Sequence, residues 1–185
     1  VAHKHYGRGR IPSRLIHDLN ALQEHAMGCD IHWNSETKVD GKWVCDQIET
    51  KPYEDEDAEL EDMPGRSRDY WLFGLLAKGV RREWPWSFPY QNQLPADCSP
   101  EVRKRSDGWD SDGHSHGSWT RAQLIAKKES FKTLRAEYLI TPLDEETKHY
   151  PEALSHLDNR LEEIIGYLDA KVPDTDQRIV FFFDN

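Results

Sequence analysis

The chain has 185 residues, a formal net charge of −10, three cysteines and 37% hydrophobic residues, at a mean hydropathy of −0.86. That length supports one domain with a core that needs neither disulfide nor metal, and the irregularly spaced Cys29, Cys45 and Cys98 argue against a secreted disulfide framework and for a reducing cytosol. No apolar run approaches the roughly 20 residues of a membrane span, and the acid excess disfavours nonspecific attraction to nucleic acid or anionic membrane.

Residues 1–26 differ from the rest of the chain, with four Lys/Arg, two acids and four His. Ser13 can cap a helix whose Leu15, Ile16, Leu19 and Leu22 form one apolar stripe. Met27 offers a competing start, because Gln23-Glu24 can be encoded as a purine-rich ribosome-binding sequence just upstream. The segment is therefore either an amphipathic extension or a translated leader, and residues 27–185 are expected to form the α+β domain.

From Cys29 the pattern has period two. CDIHWNSETK and KWVCDQI flank Asp40-Gly41, a dipeptide suited to a two-residue hairpin turn with positive φ. That turn pairs Trp33 with Ile48, Thr37 with Val44 and Glu36 with Cys45. It places Ile31, Trp33, Val44 and Ile48 on a core face, and Asp30, His32, Asn34 and Glu36 on a polar one. Residues 51–62, KPYEDEDAELED, hold seven carboxylates against one Lys. Such a block is a solvated loop or a surface that resembles nucleic-acid phosphates to a basic partner.

Residues 68–80 are apolar almost all round and predict a buried helix, with Gly79 as its stop. Residues 84–96, WPWSFPYQNQLPA, hold three prolines and the four aromatics Trp84, Trp86, Phe88 and Tyr90, which predicts an irregular stretch that either covers a core or stacks on a ligand. Ser99-Pro100-Glu101 opens a short helix. DSDGHSHGSWT at 110–120 reads as a loop ending at a capping box, Thr120 to Gln123, ahead of Leu124, Phe131, Leu134 and Tyr138 at helical spacing. Pro151 starts a long amphipathic helix through Leu154, Leu157, Leu161, Ile164, Ile165 and Leu168. RIVFFFDN closes the sequence as a strand buried on both faces. The sum is an α+β fold, a small antiparallel sheet of hairpin and last strand packed with helices.

Two carboxylates and an imidazole on alternate strand residues, Asp30, His32 and Glu36, suit metal ligation or acid–base work. Asp184 joins them if the last strand is adjacent. His114 and His116 flank one residue, so in an extended segment both rings point the same way, a spacing that suits zinc. Cys29 points away from Asp30 and His32 in a strand, which leaves it without an activating neighbour. No phosphate-binding glycine loop, CxxC pair or serine-nucleophile elbow is visible.

MGCDIHWNSE, RDYWLFGLLAKGVR, LPADCSPEV, DGHSHGSWTRAQL and RIVFFFDN, in this order from residue 27 onward, resemble a family of small proteins of bacteriophages, prophages and bacteria whose members begin MGCDIH. The resemblance carries onto Cys29, Asp30, His32, Arg68, Tyr70, Asp112, His114, Ser115 and Asp184. It implies a phage origin and a place in the host cytoplasm, and brings no catalytic assignment. Two functions then compete. One is an accessory protein that inhibits a host or anti-phage defence factor through Glu54, Asp55, Glu56, Asp57, Trp84, Trp86, Phe88 and Tyr90. The other is a hydrolase of a nucleotide or phosphodiester, with a divalent metal on Asp30, His32, His114 and Asp184 and Glu36 activating water.

Overall fold

The last strand, the most apolar run of the sequence, becomes the inside of the sheet. β4 (Gln177–Asp184) lies between β1 (Asp30–Val39) and β3 (His114–Thr120), and β2 (Lys42–Cys45) pairs outside β1. All three ladders are antiparallel. The computed structural model describes residues 28–46, 68–171 and 176–184. The N-terminal extension and the acidic stretch at 51–62 lie outside the described residues. No described helix is long and apolar enough to cross a membrane.

Asp40 (φ 49°) and Gly41 (φ 79°) make the hairpin turn, with both residues in the left-handed region that such a turn requires. Thr37 faces Val44 and Glu36 faces Cys45, as the sequence pattern predicts. Ile48 lies outside the described residues. The core face is shorter than predicted, because Ile31 and Trp33 are buried but Val44 is 47% exposed. Only the part of the hairpin nearest β4 is covered.

α1 (Tyr70–Leu76) is capped by Asp69, whose side chain accepts the Leu72 N–H, and Leu72 through Leu76 are all buried. It ends earlier than its apolar pattern suggests. Ala77 is extended, and the chain then turns through Gly79 (φ 89°) and Arg81 (φ 59°). α2 (Pro100–Asp107) starts at the Ser99 cap, α3 (Arg121–Ile140) at the Thr120–Gln123 capping box, and α4 (Tyr150–Lys171) one residue before Pro151.

The period of two in β4 divides it between two cores. Ile179, Phe181 and Phe183 join Ile31, Trp33 and Trp119 under α1, α3 and α4, with Phe131, Leu157, Leu161 and Ile164 fully or nearly fully buried. Each such side chain contributes roughly 1.5–3 kcal/mol by leaving water. On the opposite face Val180 meets Cys98 and Val102 of the Leu94–α2 segment. The sheet is thus covered on both sides, which is why seven of eight β4 residues are buried.

The stretch from Trp84 to Tyr90 is irregular as expected, but three of its four expected surface aromatics do not face solvent. Trp84, Trp86 and Phe88 are buried in the main core. Trp84 stacks on Trp86 at 5.5 Å and donates its indole N–H to the Trp71 carbonyl, while Phe88 stacks on Trp119 at 4.2 Å. Prolines keep the chain from forming a helix there, so its aromatics cover the sheet from an extended path. Tyr90 alone of the four is open, at 51% exposure.

Candidate functional site

The register of the sheet brings several sequence-predicted residues to one end. Asp30 faces Asp184 and His32 faces Phe182, so Asp30, His32 and Asp184 share one face. Asp184 accepts the Asp30 backbone N–H at 2.9 Å through Oδ1, and its Oδ2 lies 3.2 Å from His32 Nε2. The His32 ring packs against Phe182, at 5.0 Å, and Trp109, at 4.3 Å, and these two rings lie 6.4 Å from each other, so the three form a corner. Asp30, His32, Trp109 and Asp184 border a cavity of about 340 Å³, which Asn34 and Arg105 help to line. Arg105 donates to the Asn34 side-chain carbonyl, so its guanidinium is positioned on the sheet rather than left to swing in solvent.

The Asp30 carboxylate is already engaged. Arg68 grips it twice, Nε on Oδ1 at 2.9 Å and Nη2 on Oδ2 at 3.1 Å. Hydrogen bonding from Arg68, partly offset by burial, holds the Asp30 carboxyl below the ordinary range. Gly28 makes room for this grip, because a Cβ there would lie 2.8 Å from the Arg68 guanidinium.

The four expected metal ligands do not assemble. Asp30, His32 and Asp184 converge, but His114 faces Phe183, on the other side of the sheet. A bulge between His114 and Gly117, with Ser115 at φ 51°, inserts one residue into β3 and reverses the alternation. The two imidazoles therefore point to opposite faces: His114 stacks on Phe183 and His116 on Phe182. His116 lies 2.9 Å from Ser106 Oγ, and burial pushes its pKa down. The HxH segment is an edge strand, not the loop its glycines suggest. Among the described residues, no three His, Cys, Asp or Glu side chains are placed to hold a metal.

Glu36 is not in reach of this site. It lies six residues from Asp30, about 20 Å along a strand, and is fully buried. Its Oε1 accepts the Ser99 N–H at 2.6 Å and its Oε2 the Arg178 Nε–H at 2.7 Å. Both oxygens serve to join α2's cap and β4 to β1, so Glu36 has a structural position rather than one from which to activate water. Of the expected binding surface, Glu54, Asp55, Glu56 and Asp57 lie outside the described residues.

Two residues of the site, Trp109 and Arg105, escape the sequence pattern. A single Trp among glycines and aspartates at 107–113 is the one signal that points to Trp109. Nothing marks Arg105 among the charges of a short helix.

Comparison with protein-family models, with curated proteins and with solved structures finds no match to this chain. The fold and the cavity thus define it by class alone: an α+β protein in which the carboxylate that ends β4 pairs with an imidazole of the neighbouring β1. Such a pair orients the imidazole and fixes its proton on Nε2, leaving Nδ1 with a lone pair for a bound molecule.

Proposed function

We propose that the protein hydrolyses a phosphodiester or nucleotide, with His32 as general base and Asp184 as the group that orients it. The observation that carries this reading is the Asp184 contact to His32 Nε2 at the edge of a cavity. His32 Nδ1 takes the proton of the water that attacks phosphorus, Asp184 stabilises the imidazolium that results, and the P–O bond to the leaving oxygen breaks as that proton is returned to the departing group or to solvent. Arg105 lines the same cavity as His32 and would bring a positive charge to the phosphate. Trp109 and Phe182 pack against the ring and restrict its rotation. Release of p-nitrophenol from a bis-p-nitrophenyl phosphodiester, followed by a panel of nucleotides, tests the reading. His32→Gln is expected to lower turnover by about 10²–10⁴-fold, the usual contribution of a general base, with an unchanged circular dichroism spectrum. Unchanged turnover in that variant, or no hydrolysis across the panel, refutes it.

A second reading rests on the seven carboxylates at 51–62 and the net charge of −10. In it the chain is a phage accessory protein that docks on a basic face of a host or defence factor. Binding of that kind weakens steeply with salt, because exposed charges are screened over about 8 Å at physiological ionic strength. Capture from host lysate that persists at high salt would remove it.

A further inference from the structure

Trp109 lines the same cavity as His32 and Asp184. We propose that it is a platform for a nucleobase, so that the cavity takes a single nucleotide, its base on Trp109 and its phosphate beside His32. This assignment rests on the phosphoester reading of His32 and narrows the substrate to mononucleotides.

The indole is only half-buried, and its ring contacts among the described residues are His32, at 4.3 Å, and Phe182, at 6.4 Å. Its N–H is not shut off from solvent and has no acceptor among the described residues. Other indoles of the chain are matched: Trp43 donates to Asp97 at 3.0 Å, Trp84 to the Trp71 carbonyl at 3.0 Å and Trp119 to the Leu76 carbonyl at 2.9 Å. A side chain that only had to cover His32 would need no such group. A base stacked on an indole face leaves the in-plane N–H to a sugar or phosphate oxygen.

The platform is fixed by its backbone. Trp109 N–H bonds the Ser106 carbonyl at 3.1 Å, and its own carbonyl accepts the Asp112 N–H at 2.9 Å. Asp110, between them, is in the left-handed region at φ 44°. Gly113 completes the seat, because a Cβ there would lie 3.3 Å from Trp109 Cβ. The indole therefore meets a ligand with little ordering left to do, which favours binding.

Size and charge favour one nucleotide over a strand. At about 340 Å³ the cavity is at the small end of small-molecule sites. The net charge of −10, with Asp107, Asp110 and Asp112 exposed beside Trp109, opposes a run of phosphates more than a single one. The 4.3 Å between the Trp109 and His32 rings then puts the phosphate that reaches His32 on the same molecule as the stacked base.

Titration calorimetry of the full chain with adenosine, adenosine monophosphate and ribose 5-phosphate gives the affinities. The nuclear magnetic resonance signal of the indole N–H that Trp109→Phe removes gives the location. Adenosine has no phosphate to lose, so its binding is read whether or not the site turns over. Adenosine and adenosine monophosphate are expected to saturate and to move that signal, and ribose 5-phosphate, which lacks the base, to bind about 10-fold more weakly than the nucleotide or worse. Trp109→Ala should weaken nucleotide binding roughly 10- to 100-fold, the worth of one stacked base, and Trp109→Phe, which keeps an aromatic face, should lose less. No shift of the indole signal at millimolar adenosine, equal binding of ribose 5-phosphate and the nucleotide, or wild-type affinity in folded Trp109→Ala overturns the proposal, even in a protein that cleaves the p-nitrophenyl diester. Adenosine binding at Trp109 without any cleavage supports the platform and refutes the hydrolytic role of His32 alone.

Discussion

Replacing Glu36 tests whether it fastens the fold or takes part in chemistry. Its carboxylate is fully buried, and the Arg178 side chain is 7% exposed, so the pair at 2.7 Å is nearly unscreened. Removing one member of a buried ion pair costs about 3–5 kcal/mol, chiefly because the other charge is stranded. Arg178 is not wholly stranded in Glu36→Gln, since it keeps Asp97 at 2.9 Å and the Trp43 ring at 4.1 Å. We expect the lower end, about 3 kcal/mol, or a fall in Tm of about 6–12 °C for a domain of this size. Arg178→Met should cost more, because the Ser99 N–H is then the remaining contact seen on a buried carboxylate. Equilibrium denaturation in guanidinium chloride, read as a midpoint shift at constant m, measures both. A loss below about 1 kcal/mol in Glu36→Gln, or the reverse order of the two variants, would refute this account of the pair.

Two further outcomes concern Gly74 and Asp30. Gly74→Ala places a methyl 2.6 Å from the Arg82 carbonyl; although alanine normally stabilises a helix interior, we expect a net loss of about 1–3 kcal/mol from overpacking, and a rise in Tm would show that the Arg81 loop moves freely. The Asp30 carboxyl, held low by Arg68, contributes stability that is present above its unfolded value and lost as pH falls through the lower folded one. Arg68→Met should therefore flatten the acid limb of stability below pH about 4, and an unchanged limb in midpoints measured across that range would show that the pairing does not persist in solution.

Much of the fold is legible in local pattern. Ser99-Pro100 and Thr120–Gln123 specify helix starts through bonds made within three or four residues, so the sequence alone identifies them. Asp40-Gly41 fixes the hairpin register for the same reason. RIVFFFDN reveals a strand covered on both faces because no solvent face would tolerate three consecutive phenylalanines. The aromatic segment is harder to place. Proline content excludes regular structure at 84–96, but it does not say whether Trp84, Trp86 and Phe88 face water or the sheet. That depends on Trp119 and Trp71, which meet them only in the folded chain.

The site is half legible, and the missing half has a single backbone cause. Alternation within β1, together with pairing to β4, correctly gathers Asp30, His32 and Asp184, since each step follows from strand periodicity. The same periodicity fails for His114. One inserted residue at Ser115 shifts the register, and a shift of one residue exchanges the two faces of a strand. Gly113 and Gly117 carry the trace of this irregularity, but they read equally as a loop. Gly117 is also needed for another reason, because a Cβ there would lie 2.7 Å from the Phe181 ring. Without the bulge, His114 would face Asp184, on the same side of the sheet as His32. With it, His32 and His116 lie on the Phe182 face and His114 lies on the other, its Nε2 buried without a hydrogen-bond partner. The placement of His114 on the face opposite His32 is therefore set at Ser115.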